Sequence, residues 1–259
     1  MGSKIGVHGR AGRQMIELKK EIEWPFPERR NPKRDDPDYL GSRGLALGLR
    51  KAIDMELAGK QELNILDVGC GKKPFYPFLK PFAKAYIGTD IIRDSPLVDV
   101  VCPAEALEIE DEWADVVLCL SVLEHVNDPI KAVKELYRVV KRTGTVLAST
   151  HGFFPWHPYP QDHWRWTQTG LPILFKSQGG FSSVQLFATR GTLSGCFFLL
   201  AHYVYTWASQ NRLKQVLRRP LTVIVNKAGE FLDKKYASLS DLNRHVTAIP
   251  EFFVIAKKS

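Results

Sequence analysis

The stretch that decides the fold is Ile65-Leu66-Asp67-Val68-Gly69-Cys70-Gly71. Its apolar start predicts a buried strand, and its two glycines predict a turn in which the backbone approaches a ligand closely. Asp90 ends the next predicted strand, at a spacing where a carboxylate can accept hydrogen bonds from both hydroxyls of a ribose. Together the turn and the acid predict a site for a cofactor that contains adenosine.

Two details of the glycine turn separate the adenosine cofactors from one another. NAD-binding folds place a glycine turn and an acid at the same spacing, but their third glycine corresponds here to Pro74. Asp67 stands two residues before the first glycine, where dehydrogenase fingerprints usually keep an apolar residue. The turn therefore disfavours a dinucleotide.

Predicted strands and helices alternate along the chain, which is typical of βαβ units and a mainly parallel sheet. The predicted strands are 64–68, 85–89, 98–101, 116–120, 145–149, 183–188 and 252–256. The last two are separated by about 60 residues, whereas an ordinary connection has about 2–6. We expect a Rossmann-like α/β fold with a seven-stranded, mainly parallel sheet flanked by helices, and a helical insertion at 190–249 before the last strand.

One helix boundary is predicted in detail. Asp128 can cap a helix that has Pro129 in its first turn. The apolar spacing predicts that this helix buries Ile130, Val133, Leu136 and Val140, and that Gly144 ends it.

Three motifs resemble those of the class I S-adenosylmethionine (SAM) dependent methyltransferases, in particular a bacterial type-11-like branch. They are LDVGCG-x-KP at 66–74, LEHV at 123–126 and HP-x-P-x-D-x-W-R-x-T at 157–167. The resemblance implies that the cofactor is SAM, that Gly69 and Gly71 line the turn that holds it, that Asp90 holds its ribose, and that residues 120–123 border its methionine part. The expected cofactor-binding residues are Asp67, Gly69, Cys70, Gly71, Asp90, Ile91, Ala104, Glu105, Leu120 and Ser121. Many relatives have an Asp just before the Ala-Glu pair, but this chain has Cys102-Pro103, so the backbone of Ala104 or the side chain of Glu105 would contact the adenine.

The loop after the fifth strand should face the methyl group, since ligands bind beyond the carboxyl ends of parallel strands. If the acceptor is a hydroxyl, a neutral imidazole can take its proton. We expect His157 or His163 to do so with Asp162 orienting one of them, and Arg165 to bind a substrate phosphate or carboxylate. His125 of the LEHV motif is a further catalytic candidate.

Structural roles are open alternatives for the same residues. Asp162 and Arg165 would also suit an ion pair that fixes the loop, with Trp164 and Trp166 as core anchors. His125, together with the preceding Glu124, would also suit a role in organising its own loop through hydrogen bonds.

Composition sets further limits. The chain has 259 residues, 44% hydrophobic and 25% charged, which is enough for one large core. Its four cysteines form no C-x-x-C pair, so neither a disulfide framework nor a metal site is expected. This use of cysteine predicts a protein of the reducing cytoplasm. Residues 1–44, rich in charge, Pro and Gly, predict an N-terminal arm, and 45–259 the methyltransferase domain.

Residues 191–209 contain no Lys, Arg, Asp or Glu, and four cations follow by position 219. This composition fits a helical lid over the acceptor pocket or a contact with the inner membrane face, and its polar residues disfavour a membrane span. The leading hypothesis is a cytoplasmic O-methyltransferase for a glycan-related or lipid-linked small molecule. RNA methylation, encouraged by the net charge of +8, and a non-catalytic SAM-binding or membrane-docking module are the alternatives.

Overall fold

The structure, a computed structural model, describes residues 24–158, 160–209, 212–235 and 248–258. Its strands are β1 Leu63–Val68, β2 Ala83–Asp90, β3 Val100–Val101, β4 Ala114–Leu120, β5 Val140–His151, β6 Ser183–Ala188 and β7 Glu251–Lys257. Its α-helices are α1 Pro27–Arg30, α2 Tyr39–Glu56, α3 Tyr76–Leu79, α4 Pro129–Val139, α5 Gly170–Pro172, α6 Thr192–Ser209 and α7 Arg212–Lys235. A short 3₁₀ turn, Lys80–Phe82, follows α3, and a π-helical segment, Ile173–Gln178, follows α5.

The seven strands form one sheet in the order β3-β2-β1-β4-β5-β7-β6. All neighbouring pairs are parallel except β5–β7 and β6–β7, which are antiparallel. The predicted Rossmann-like, mainly parallel sheet is therefore confirmed.

Both faces of the sheet are covered, which explains why its central strands are continuous apolar runs. On β1, Leu66 packs in the cluster that includes α4, while its neighbour Ile65 packs in the cluster that includes α2. The same alternation divides Phe252 from Phe253 on β7. The core thus fixes the strand positions from both sides.

Helix α4 begins as predicted but ends earlier. The Asp128 side chain accepts hydrogen bonds from the backbone N–H groups of Ile130 and Lys131. Ile130 itself is 39% exposed, because the buried stripe consists of Ala132, Val133, Leu136 and Val139. The predicted end at Gly144 was wrong, since the backbone becomes extended at Val140 and Gly144 lies within β5.

The described part of the predicted arm packs against the rest of the chain. Trp24 is buried, its ring stacks on Tyr76 at a centroid distance of 4.2 Å, and its indole N–H donates to the Lys73 carbonyl. Helix α2 begins at Tyr39, within the 1–44 segment. Residues 1–23 lie outside the described residues, and the boundary at 44 stays a prediction.

The insertion before β7 contains α6 and α7, which pack against each other and against α2. Arg218 lies over the Tyr205 ring, and Gly229 meets Phe197, so the two helices run antiparallel. Residues 210–211 and 236–247 of the predicted insertion lie outside the described residues. Among the described helices, none has the length and apolarity needed to cross a membrane.

Candidate active site

A cavity of about 410 Å³ opens beyond the carboxyl ends of β1, β2 and β4. In open α/β sheets, ligands bind at this edge of the sheet. The binding crevice forms where the chain leaves two neighbouring strands in opposite directions. The residues that line the cavity are Val68, Gly69, Asp90, Ile91, Cys102, Pro103, Ala104, Glu105, Ser121, Val122, His125, Val126, Asn127 and Pro160.

The glycine turn brings the loops after β1 and β4 into close contact. Gly69 has a φ of +67°, and a Cβ there would lie 2.3 Å from Val122 Cγ2. The backbone N–H of Gly71 donates to Asp90 Oδ2 at 2.8 Å, and that of Cys70 donates to the Thr89 carbonyl at 2.9 Å. These bonds hold the end of β2 against the turn.

The structure brings together six of the ten expected cofactor residues in the cavity wall. They are Gly69, Asp90, Ile91, Ala104, Glu105 and Ser121. Of the other four, Gly71 supports Asp90 through its N–H, Cys70 is buried, and Leu120 ends β4. Asp67 accepts a hydrogen bond from the Tyr86 hydroxyl at 2.7 Å, and burial raises the pKa of its carboxyl to about 6.

Glu105 connects two parts of the cavity wall. Its Oε1 accepts hydrogen bonds from the backbone N–H of Asn127 at 2.8 Å and of Asp128 at 3.4 Å. The carboxylate thereby fixes the segment between β4 and α4. Sequence reasoning missed Val126 and Asn127 as cavity residues, although Val126 ends the LEHV motif and Asn127 follows it.

The residues of the cavity fit SAM. The volume lies within the range of about 300–1,000 Å³ that is usual for small-molecule sites. Asp90 contributes a carboxylate to the cavity wall, and at Gly69 the backbone itself forms the wall. Apolar surface comes from Ile91, Val122 and Val126. This combination suits a ribose, an extended polar chain and an adenine ring.

The loop after β5 lies over the LEHV segment. The backbone N–H groups of His163 and Trp164 donate to the Glu124 carbonyl at 2.8 and 3.2 Å. The Trp164 indole N–H donates to the Val126 carbonyl at 2.8 Å. The expected acceptor loop is thus attached to the same segment that lines the cavity; its Tyr159 lies outside the described residues.

Arg165 and Asp162 form the centre of this loop. The guanidinium donates to both carboxylate oxygens of Asp162 at 2.5 Å and to the carbonyls of Phe154, Pro155 and Trp164. A guanidinium has five N–H donors, so these bonds use all of them. Hydrogen bonds from Arg165 hold the pKa of Asp162 well below its usual range. The arrangement favours the loop-fixing ion pair over binding of a substrate anion by Arg165.

His125 is the imidazole that lines the cavity. Its Nδ1 lies 2.7 Å from the Gln161 carbonyl oxygen. A carbonyl can only accept, so Nδ1 carries the proton and Nε2 has a free lone pair. Burial lowers the pKa of His125 below its ordinary value, which keeps the ring neutral at neutral pH.

The other two candidate imidazoles are not among the residues that line the cavity. The His157 ring contacts His125 edge-on at a centroid distance of 4.9 Å. Its Nδ1 lies 3.2 Å from both Asp162 Oδ2 and the Pro155 carbonyl oxygen. His163 is exposed, and its side chain forms no hydrogen bond or ion pair with the residues that the structure describes.

A buried pair behind the loop was missed as a site element. Glu124 Oε1 lies 3.0 Å from His151 Nε2, and Thr150 Oγ1 donates to Glu124 Oε2 at 2.9 Å. Burial raises the pKa of Glu124 to about 8 and lowers the pKa of His151 far below its usual value. Both groups are therefore neutral at neutral pH, and the protonated Glu124 carboxyl can donate to His151 Nε2. Glu124 belongs to the LEHV motif, but no sequence motif indicated His151 as its partner.

Two overlapping groups of described side chains have ligand atoms within 4.8 Å of one another and could hold a metal. They are Glu124 with His151 and His157, and His125 with His157 and Asp162. In the second group, Arg165 already donates to both Asp162 oxygens and would compete with a cation. The expectation of a site without metal stays a prediction.

Comparison with known proteins identifies the domain. Residues 66–148 match the family model of a methyltransferase domain. The ubiquinone biosynthesis O-methyltransferase of Pseudomonas entomophila is 38% identical over 111 residues, which cover 37% of this chain and 46% of that protein. An uncharacterized methyltransferase of Bacillus subtilis is 26% identical over 145 residues, covering 50% of this chain and 54% of its own. The chain thus spans about half the length of these curated relatives.

Solved structures share the fold at low sequence identity. A putative sarcosine dimethylglycine methyltransferase from Galdieria sulphuraria has a TM-score of 0.54 at 14% identity and covers 84% of this chain and 88% of its own. The [4+2]-cyclase SpnF has a TM-score of 0.53 at 18% identity over 82% and 81% of the two chains. Because a cyclase shares it, the fold alone does not establish the reaction. The match of residues 66–148 to a methyltransferase domain agrees with the sheet, which has the Rossmann-like fold of SAM-dependent methyltransferases, and with a cavity whose residues fit SAM.

Proposed function

We propose that the protein transfers a methyl group from SAM to a hydroxyl oxygen of a small molecule, with His125 as the general base. The observation that carries the proposal is the His125 imidazole in the wall of the cavity, with Nδ1 bonded to the Gln161 carbonyl. When bound, SAM supplies an electrophilic methyl group on its sulfonium sulfur. The name of the Pseudomonas relative, an O-methyltransferase, favours oxygen as the acceptor atom.

Three wall residues would hold the donor. Asp90 would accept hydrogen bonds from the ribose hydroxyls, because its carboxylate is fixed by the Gly71 N–H. The bare backbone at Gly69 would lie along the methionine part, next to Ser121. Holding donor and acceptor in line is the main requirement of methyl transfer and can contribute about 7–11 kcal/mol.

His125 would take the proton of the acceptor hydroxyl on Nε2. The Gln161 carbonyl holds the proton on Nδ1 and would stabilise the resulting imidazolium by accepting its hydrogen bond. General base catalysis of this kind contributes about 10²–10⁴ in rate. Asp162 and Arg165 act as positioning residues in this proposal, because their ion pair fixes the loop that presents Gln161.

The acceptor is proposed to be an apolar or ring-containing small molecule, glycan-related or lipid-linked. Aromatic side chains of the acceptor loop support this, since Trp156 is 72% exposed and Trp164 is 37% exposed. Faces of this kind suit a sugar or a quinone-like ring. A cytoplasmic location, at the inner membrane face for a lipid-linked acceptor, is part of the same proposal.

The experiment has two stages. Calorimetry with S-adenosylhomocysteine should give saturable heat with the wild type and at least tenfold weaker binding with Asp90→Ala. Absence of heat with the wild type would reject the donor. Labelled SAM is then offered with phenolic, catecholic and glycan acceptors and, separately, with RNA. Label transfer to a hydroxyl acceptor supports the proposal, transfer only to RNA replaces it, and binding without any transfer indicates a non-catalytic module.

A further inference from the structure

Helices α6 and α7 expose an unusual amount of apolar surface. Eight large apolar side chains, here called the outer face, are at least 37% exposed. They are Leu199, Leu200, Tyr203 and Trp207 on α6, and Val216, Leu217, Ile224 and Phe231 on α7. On α6, the spacing of Leu199, Tyr203 and Trp207 places them in one stripe along the helix. Exposed apolar side chains concentrated in this way mark an interaction surface.

Helix α7 carries a large excess of positive charge. Seven cations and two acids belong to the helix. Both acids are used by the rest of the chain: Glu230 accepts from Tyr39 and pairs with Arg34, and Asp233 accepts the Gly191 N–H at 3.1 Å. Five of the seven cations are exposed. The Arg219 side chain is 75% exposed although it lies 3.6 Å from Asp35, and that of Lys234 is 69% exposed although it lies 3.2 Å from Glu230. The surface beside the outer face is therefore positive.

Cations also lie directly over exposed aromatic rings. Lys214 Nζ lies 4.3 Å from the centroid of the Trp207 ring, and Lys235 Nζ lies 6.0 Å from that of Phe231. Aromatic and aliphatic side chains interleaved with lysine and arginine are typical of helices that lie in the interface of a membrane. There the apolar groups enter the acyl boundary while the cations meet lipid phosphates.

We propose that the outer face binds the surface of an anionic lipid bilayer, with α6 and α7 lying in the plane of the membrane. A second copy of the chain fits this face less well. A twofold contact would bring the cationic surfaces of two α7 helices together, and like charges at an interface oppose association. Anionic lipid complements both the charge and the apolar surface.

The opposite side of α6 contacts the acceptor loop. Phe198 packs on Phe154 at a centroid distance of 5.1 Å, and Phe154 stacks on His151 at 3.9 Å. Docking would thus bring the acceptor loop within one helix of the bilayer, as a lipid-linked acceptor requires. Membrane binding itself does not depend on the proposed methyl transfer, and it is measured without donor or acceptor.

The test uses the full chain and vesicle sedimentation. Binding is compared between vesicles of phosphatidylglycerol mixed with phosphatidylcholine and vesicles of phosphatidylcholine alone. The double variant Ile224→Ser/Phe231→Ser removes apolar groups that are each 62% exposed. The matched control, Leu47→Ser/Ile173→Ser, removes groups that are 47% and 57% exposed elsewhere. We expect preference for the anionic vesicles and at least a tenfold loss of partitioning only in the α7 variant, with circular dichroism unchanged in both.

A second pair of variants tests the charges. Arg212→Gln/Lys227→Gln should lower partitioning at least fivefold, because each cation near an anionic surface contributes about fivefold. The control Lys60→Gln/Arg142→Gln removes the same charge from exposed positions outside the insertion. Equal binding to both lipids, or equal losses in variants and controls, overturns the proposal. So does a dimer in sedimentation velocity that Ile224→Ser/Phe231→Ser dissociates, because the outer face would then bind a second copy.

Discussion

At the scale of single residues, the backbone decides which imidazole can act as a base. Gln161 presents a carbonyl oxygen 2.7 Å from His125 Nδ1, which leaves Nε2 as the basic nitrogen of a side chain that lines the cavity. His157 has its Nδ1 next to Asp162 and Pro155, its ring contacts that of His125 edge-on, and it is not among the residues that line the cavity. The free lone pair on Nε2 and the position in the cavity wall therefore both favour His125 as the general base.

The first prediction concerns the pH dependence of turnover. The neutral imidazole is the active form, and burial lowers the pKa of His125 from 6.5. Methyl transfer should therefore fall as pH decreases through a midpoint below 6.5. His125→Gln should lower kcat by about 10²–10⁴ and remove this acid limb. Rates of label transfer between pH 5 and pH 8, about the range over which a histidine changes charge, measure both effects.

The same substitution at His163 tests the other candidate. His163 is exposed and lies at the surface of the loop, so His163→Gln should have the smaller effect on kcat. If His163→Gln abolishes the acid limb while His125→Gln keeps it, the assignment of the base is wrong.

A second residue-scale prediction concerns Glu124 and stability. Its pKa rises from 4.5 to about 8 in the folded protein, so the folded state keeps a proton that the unfolded state has lost. The stabilisation is complete below pH 4.5 and is lost as pH rises toward 8. Glu124→Gln should remove the decrease in the free energy of unfolding between about pH 6.5 and 8, at most about 1.4 kcal/mol per pH unit.

Urea unfolding at several pH values in this window measures the effect. The partner His151 has an ordinary pKa of 6.5 and a much lower one when folded, so its own contribution changes only below the window. A wild-type protein with constant stability across the window, or a variant with an unchanged slope, contradicts the buried neutral pair.

At the scale of elements, the turn after β1 depends on the absence of a side chain at Gly69. Alanine there would keep a left-handed φ, which costs about 1–2 kcal/mol, and its Cβ would collide with Val122. Gly69→Ala should lower stability by about 2 kcal/mol or more and weaken the binding of S-adenosylhomocysteine at least tenfold.

Gly59 offers a matched control for this turn. Its φ is +74°, and a Cβ there would meet nothing within 4 Å. Gly59→Ala should cost about 1 kcal/mol from the backbone alone and leave donor binding unchanged. Calorimetry and urea unfolding on the two variants separate the effects, and equal donor affinity in both would remove the turn from the donor site.

Helices and strands could be predicted from the sequence where a strand or a helix cap has a recognisable local pattern. All seven strands were found, the central parallel ones because buried parallel strands are short apolar runs, and α4 begins where Asp128 and Pro129 indicate. Its end was misplaced because the chain enters β5 at Val140 without a glycine. The local sequence does not distinguish a strand residue at position 140 from a residue of the last helical turn.

The site was less predictable because its decisive contacts join separate elements. Glu124 and His151 stand after β4 and at the end of β5, and only the parallel pairing of these strands brings them together. Likewise, an arginine three residues after an aspartate suggests an ion pair or a substrate-binding residue equally well. Only the carbonyls that surround Arg165 show that its donors are already used.

At the scale of the whole molecule, Arg190 joins the insertion to the sheet and to α2. It follows β6, and its Nη1 lies 3.4 Å from Glu251 Oε2 at the start of β7, with both side chains 3% exposed. The guanidinium lies 4.8 Å from the Phe198 ring of α6, and a Cβ at Gly41 of α2 would lie 3.2 Å from Nη1. Burial lowers the pKa of Arg190 and raises that of Glu251, so each charge depends on the other.

The last prediction follows from this dependence. Arg190→Met should lower the free energy of unfolding by about 3–5 kcal/mol, because it leaves the Glu251 carboxylate buried without its partner. Glu251→Gln keeps the shape and a hydrogen-bond acceptor for Thr189, which now donates to Glu251 Oε2 at 3.0 Å. The double variant should therefore lose less than the sum of the two single losses, by about 1–3 kcal/mol. A double-mutant cycle in urea measures this coupling; additive losses would mean that the aromatic rings, and not the ion pair, hold the guanidinium at this junction.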